Sequence, residues 1–96
     1  MENKLDQLRA NRVAIIELAK KHKAFNVAVF GSVARRSETP ESDIDFLVDF
    51  EIGASLFDQA ALRVDLSHLL ISEIDLLSRG SLRKNDNKIL QDSINI

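Results

Sequence analysis

Two aspartates with one residue between them, Asp43 and Asp45, have the spacing that most clearly suggests chemistry in this 96-residue chain. They open a segment, residues 44–50, whose apolar residues alternate as in a β-strand. Residues two apart in a strand point to the same side, about 6 to 7 Å from each other, so both carboxylates can converge on one metal ion. Asp75 lies in a second apolar run, residues 74–77, and can join them from a neighbouring strand.

Three carboxylates on one packed sheet repel each other unless a cation lies among them. The chain has no cysteine, so a metal must be held by oxygen ligands or by the two histidines, His22 and His68. Oxygen ligands favour a hard cation. Two Mg²⁺ ions on Asp43, Asp45 and Asp75 could activate a hydroxyl and stabilise the leaving oxygen of an in-line displacement at phosphorus.

Gly31-Ser32 follows the apolar run 27–30 and supplies a second half of this pattern. A glycine between a strand and a helix lets backbone N–H groups approach phosphate oxygens, and the Ser32 hydroxyl adds a donor. There is no Walker lysine, so this is not a P-loop. Gly-Ser alone is usually a turn and Asp-x-Asp alone is often a solvated strand edge, but their succession predicts a catalytic site. Asp49 lies about 13 Å along the strand from Asp45 and is interpreted as structural.

The elements that must position these residues follow from the apolar spacing, which predicts the order α-β-α-β-α-β-α. The predicted segments are a helix over 3–22, a strand over 27–30, a short helix over 32–36, a polar loop over 37–42 containing Pro40, a strand over 44–50, a helix over about 55–70, a strand over 73–77 and a helix over about 86–96. A sheet of about three strands flanked by helices, of the α/β (α+β) class, accounts for every apolar stripe. Whether the strands are all parallel is left open by the pattern itself.

The middle helix is apolar on two sides. The stripe containing Phe57 and Val64 is assigned to the sheet, together with His68 as a partly buried histidine. The opposite stripe, which contains Leu62, Leu66 and Leu69, is either sandwiched in the core or exposed as a docking patch, and so short a chain favours the core. His22, Asp58 and Asp65 are predicted to face solvent.

Composition predicts one soluble domain over residues 1–96, with a net charge of −2 and no apolar run of transmembrane length. A cytoplasmic protein without an extended nucleic-acid-binding surface is expected, because such binding draws on clustered Lys and Arg.

Over about residues 25 to 80, the sequence resembles the polymerase-β-type nucleotidyltransferase superfamily. The residues that carry the resemblance are Gly31-Ser32, Asp43-Ile44-Asp45 and the later Asp75. The short chain is similar to the minimal nucleotidyltransferase antitoxins that are paired with HEPN-domain toxins. The resemblance implies a small mixed sheet and an antitoxin that uses ATP to adenylylate a tyrosine of its cognate HEPN ribonuclease toxin.

By position, the resemblance implies that Gly31 and Ser32 bind the triphosphate and that Asp43 and Asp45 hold two Mg²⁺ ions. Asp75 would complete one metal site and help to deprotonate the acceptor. Arg35 matches a motif arginine, for which phosphate contact and structural pairing are both open. Arg36 stands where the family more often has glycine; if that glycine is left-handed, Arg36 either bends the loop differently or carries strain.

Two other functions are compatible with the sequence. The chain could neutralise its partner by binding alone, although the presence of all three carboxylates favours catalysis. It could also transfer a nucleotide to a small-molecule hydroxyl, although enzymes of that kind resemble longer chains with a domain that holds the acceptor.

Overall fold

The computed structural model describes residues 3–39, 41–82 and 86–96, so Pro40 lies outside the described residues. The elements are α1 (Lys4–Ala10), α2 (Arg12–Lys21), β1 (Ala24–Phe30), α3 (Gly31–Ala34), β2 (Ile44–Phe50), α4 (Leu56–Leu70), β3 (Ile74–Ser78), a 3₁₀ turn (Arg79–Ser81), α5 (Asn87–Asp92) and β4 (Ile94–Asn95). The three predicted strands are confirmed, and β2 has the predicted bounds.

The sheet is mixed, with the strand order β3-β2-β1-β4. β1 runs antiparallel to β2 and to β4, whereas β2 and β3 are parallel. The fourth strand corrects the prediction of a last helix that continues to Ile96: α5 ends at Asp92, and Ile94 and Asn95 pair with β1. Two residues are too few for an alternating pattern to show, so the sequence does not distinguish this strand from a helix end.

The predicted first helix is two helices that meet at Asn11. The Asn11 side chain donates to the Gln7 carbonyl oxygen at 2.9 Å, which closes the end of α1. The predicted apolar stripe is nevertheless kept across the break, because Leu5, Leu8 and Ile15 are all fully buried.

Helices α1, α2 and α4 cover one face of the sheet. Ile44, Phe46 and Val48 of β2 point into this layer, as alternation predicts. They pack with residues from the three helices and the neighbouring strands, including Leu5, Leu8, Ile15, Ala19, Val29, Leu62, Leu66 and Ile74. Asp45 and Asp49 therefore lie on the opposite face of β2.

The orientation of α4 shows which of its two apolar stripes faces the core. Leu62 and Leu66 are buried and Leu69 packs against the core, so the core prediction for this stripe is confirmed. The assignment of Phe57 and Val64 to the sheet is wrong, because both are exposed. A helix that is apolar on two sides carries no periodic signal for which side faces inward.

The predictions for the two histidines also fail, whereas Asp58 and Asp65 remain partly exposed to solvent and each gains a partner. His68 is exposed, whereas the half-buried His22 ring contacts Asp65 at 2.6 Å and links α2 to α4. Asp58 is not simply solvated, because it forms a capping box with Ser55 at the start of α4. Within the described ranges, no helix has the length and apolar character needed to cross a membrane.

Candidate active site

Asp45 and Asp75 lie side by side on the parallel strands β2 and β3. Parallel pairing places neighbouring strands about 5 Å apart, so the two carboxyl groups lie close enough to influence each other. Asp45 is half-buried, whereas Asp75 is exposed on the edge strand. The structure thus brings together two of the three predicted carboxylates, one enclosed and one open to an incoming molecule.

The pKa of Asp45 is raised from 3.8 to about 6. Burial is the largest cause, followed by the hydrogen bond to Asp75 and the negative charges of Asp75 and Asp43, while the Arg35 charge opposes them. Removing a carboxylate from water and surrounding it with like charges favours its protonated form. A cation between the carboxylates would reverse this preference.

Asp43 lies just before β2 and is exposed. It acts on Asp45 through its charge, without the hydrogen bond that Asp75 forms. In the part of the chain that the structure describes, no three His, Asp or Glu side chains are gathered closely enough to form a ready metal cage. The structure therefore places Asp45 and Asp75 side by side, whereas Asp43 is exposed and influences Asp45 through its charge.

Gly31 is required by two features of the site. Its φ of 70° is a conformation that residues with side chains rarely adopt. A Cβ added to it would lie 2.3 Å from Asp45 Oδ2, well inside van der Waals contact. The glycine between β1 and α3 therefore makes the room in which the Asp45 carboxylate sits.

Ser32 is half-buried in the first turn of α3, and its carbonyl oxygen accepts from the Ser37 N–H at 2.9 Å. This bond turns the chain at the end of α3, where the polar loop begins. Arg36 has a φ of 57°, so the loop keeps the left-handed backbone and Arg36 carries the strain, which decides the alternative left open by the sequence.

The surroundings of Arg35 are compatible with both of its predicted roles, structural pairing and phosphate contact. Its side chain is about half exposed and contacts Asp92 at 3.4 Å, which is a structural pairing with α5. Its positive charge also lowers the pKa of Asp45, so it lies near the carboxylates. An exposed ion pair of this length contributes little to stability and leaves the guanidinium available to another anion.

Lys4 supports the site but was not predicted to do so. Its side-chain amine donates to the Ser42 carbonyl oxygen at 2.5 Å, and its backbone N–H donates to Glu38 at 3.0 Å. Helix α1 thus holds the loop that delivers Asp43. No local pattern could indicate contacts between residues more than 30 positions apart.

Asp49 is structural, as predicted. It accepts from Asn26 at 2.9 Å and from Arg79 at 3.3 Å, so it ties β2 to β1 and to the turn after β3.

The residues present fit a hard cation. The donors are carboxylate oxygens, burial and neighbouring negative charges raise the pKa of Asp45, and Gly31 leaves space at Asp45 Oδ2. These features suit Mg²⁺ better than a thiolate-binding or imidazole-binding metal.

Comparison with known proteins gives a concordant result. The model of the nucleotidyltransferase domain family matches residues 2–95. Protein MJ0435 of Methanocaldococcus jannaschii, provisionally named a protein adenylyltransferase, is 35% identical over 83 residues, which are 85% of this chain and 89% of that protein.

Two solved structures have the same fold. One, provisionally described as a minimal nucleotidyltransferase, superposes with a TM-score of 0.84 at 41% identity and covers 96% of this chain and 95% of its own. A tri-AMPylated Shewanella oneidensis HEPN toxin in complex with an MNT antitoxin gives a TM-score of 0.67 at 21% identity, over 91% of this chain and 69% of that chain. Since the family model and the 41% identical structure both span nearly the whole chain, this protein belongs to the nucleotidyltransferase domain family, in its minimal branch.

Proposed function

We propose that this single minimal domain is a Mg²⁺-dependent protein adenylyltransferase of the cytoplasm. It transfers AMP from ATP to a tyrosine hydroxyl of a cognate HEPN toxin and thereby neutralises the toxin. The observation that carries the proposal is the side-by-side placement of Asp45 and Asp75 on parallel strands, next to the glycine that makes room for the Asp45 carboxylate.

Asp43 and Asp45 would hold two Mg²⁺ ions, and Asp75 would complete the coordination of one. When bound, Mg²⁺ supplies positive charge that stabilises the transferring phosphate and the leaving oxygen. Asp75 is exposed on an edge strand, so an acceptor hydroxyl can reach it from solvent. Asp75 accepts the hydroxyl proton as the hydroxyl oxygen bonds to the α-phosphorus. The bond between that phosphorus and the oxygen that bridges it to the β-phosphate breaks, which releases pyrophosphate.

Gly31 and Ser32 would bind the triphosphate through backbone N–H groups and the Ser32 hydroxyl. Arg35 is near enough to influence Asp45, so it would contribute a positive charge to the phosphates on exchange from Asp92.

The acceptor is inferred from relatives. The HEPN toxin of Shewanella oneidensis is tri-AMPylated in its complex with the MNT antitoxin, which shares the fold of this chain. MJ0435, which this chain matches along most of its length, is provisionally named for protein adenylylation. Together they support a protein hydroxyl as the acceptor.

The test incubates the purified chain with Mg-ATP and the purified product of the adjacent gene, followed by intact-mass measurement of that partner. The partner should gain one or more AMP units and lose its ribonuclease activity. Asp45→Asn should abolish the gain. Asp49→Asn is the matched control, because it changes the same residue type on the same strand face, outside the site, and should keep transfer.

Three results would contradict the proposal in different ways. Equal transfer by Asp45→Asn would show that the carboxylate site is wrongly assigned. Neutralisation of the partner without any mass gain would show that the chain acts by binding alone. A wild-type protein that neither modifies nor neutralises the partner would reject the antitoxin role itself.

A further inference from the structure

The outward side of α4 carries an apolar surface, here called the outer α4 patch, formed by Leu56, Phe57, Ala60, Val64 and Ile71. Leu56 is 79% exposed, Phe57 87% and Ile71 90%, and Val64 is 44% exposed. Residues at these spacings lie along one side of a helix and its C-terminal end. Single exposed apolar residues are ordinary, but a continuous stripe of large ones marks an interaction surface.

Ile71 is the most unusual member of the patch. It caps α4 with a left-handed backbone, φ 50° and ψ 55°, where glycine is the preferred residue. A β-branched side chain is strained in this conformation, and here it is also exposed to water. A residue that carries both backbone strain and an apolar side chain exposed to water is expected where contact with another molecule compensates these two costs.

The exposed charge that α4 itself places beside the patch is positive. Arg63 and His68 are exposed on this side of α4. The two acidic residues of α4 are engaged elsewhere, because Asp58 bonds to Ser55 in the capping box and Asp65 contacts His22 at 2.6 Å. A chain of net charge −2 thus presents an apolar surface with a cation and without a free carboxylate from α4.

A shallow groove of about 250 Å³ extends the patch toward the edge of the sheet. It is lined by Leu56, Gln59, Ala60, Arg63 and, from the edge strand β3, Leu76. Leu76 directly follows Asp75 in that strand, and successive residues of a strand point to opposite faces. A molecule seated in this groove therefore lies at the same edge of the sheet as the exposed Asp75 carboxylate, on the opposite face of β3.

We propose that the outer α4 patch docks an apolar surface of the acceptor protein, with apolar residues against Phe57 and Ile71 and an acidic residue opposite Arg63. This inference rests on the proposed function and identifies the surface by which the nucleotidyltransferase domain holds its protein substrate. A second copy of the chain is a poorer occupant, because a two-fold contact places the same patch on both sides and opposes cation to cation.

The test measures the dissociation constant between the purified chain and the purified adjacent-gene product without ATP. Phe57→Asp should weaken binding about 30-fold or more, as loss of an aromatic anchor does. Val13→Asp is the matched control, because Val13 is 70% exposed on α2, away from the patch, and binding should stay within about twofold of wild type.

Ile71→Gly separates docking from folding. Removing the side chain relieves the left-handed strain, so the melting temperature should rise while the dissociation constant increases several-fold. A purely structural role for Ile71 would not give both changes. Arg63→Glu should also weaken binding, and its effect should shrink at high salt.

The outcomes distinguish this proposal from the proposed function. Wild-type binding by Phe57→Asp, or transfer to the partner with an unchanged KM, would overturn docking at the patch while leaving adenylylation intact. Loss of binding by Phe57→Asp in a chain that never adenylylates its partner would support docking and reject the enzyme. Failure of the wild-type chain to bind the partner, or self-association that Phe57→Asp abolishes, would also overturn it.

Discussion

Phe46 and Asp45 lie on opposite faces of strand β2 and affect the stability of the fold in opposite directions. Phe46 is fully buried under the helices and contributes to folding through the apolar area it removes from water. Asp45, its neighbour in the chain, points to the other face, where burial and like charges raise its pKa to about 6. The Phe46 side stabilises the metal-free fold, whereas the other side combines the fully buried Leu47 with a destabilised carboxylate.

The largest difference between the faces should appear on truncating Phe46. Phe46→Ala leaves a cavity in the core and should lower the free energy of unfolding by about 3 to 5 kcal/mol. Phe57→Ala removes the same atoms from an exposed position and should change it by about 0.5 kcal/mol or less. Urea denaturation measures both, and similar losses would show that the core does not lie where the structure places it.

The carboxylate face should depend on Gly31 more than on any other loop glycine. Gly31→Ala forces a Cβ against Asp45 Oδ2 and should reduce nucleotidyl transfer about 100-fold, as misplacement of a reacting group by about 1 Å does. Gly53→Ala is the control, because Gly53 also has a positive φ, 95°, but an added Cβ meets nothing within 4 Å. Equal activity losses would attribute the effect to backbone strain alone.

A smaller effect concerns the pH dependence of stability without metal. Because the folded pKa of Asp45 is raised, the stability from its protonated form is present below pH 3.8 and is lost as pH rises through about 6. A shift of this size corresponds to at most about 3 kcal/mol, and partial exposure reduces it to about 1 kcal/mol. Asp45→Asn should therefore stabilise the metal-free protein at pH 7.5 by about that amount, and hardly at pH 4.

Thermal denaturation at both pH values measures this effect, and Mg²⁺ adds a second readout. The cation should raise the melting temperature of wild type at pH 7.5 more than that of Asp45→Asn. A mutant that is less stable than wild type at pH 7.5 without metal would contradict the repulsion between the carboxylates.

The smallest effect is expected at the loop between the two halves of the site. Arg36→Gly relieves the left-handed strain, although glycine also adds freedom to the unfolded chain, so a net gain of about 0.5 kcal/mol is expected. Arg35→Gly is the control, because Arg35 has an ordinary helical backbone and should lose stability. A loss in Arg36→Gly would show that the arginine makes a stabilising contact.

The local patterns of the sequence determined the first three strands and the glycine turn, and they indicated the aspartates as candidates for the site. Alternation is a property of a few neighbouring residues, so it predicted β2 and the outward side of Asp45 without reference to the rest of the fold. The place of Asp75 beside Asp45 was predicted from its apolar flanks, and the parallel register of β2 and β3 agrees.

Tertiary structure alone decided which side of α4 faces inward, that β4 joins the sheet and that His22 pairs with Asp65. Leu62 and Phe57 are both apolar residues on one helix, and only the direction in which the chain returns from β2 to β3 selects the one that is buried. Likewise, a two-residue strand exists only because β1 offers it a partner. These choices depend on contacts between distant segments, for which spacing along the chain carries no signal.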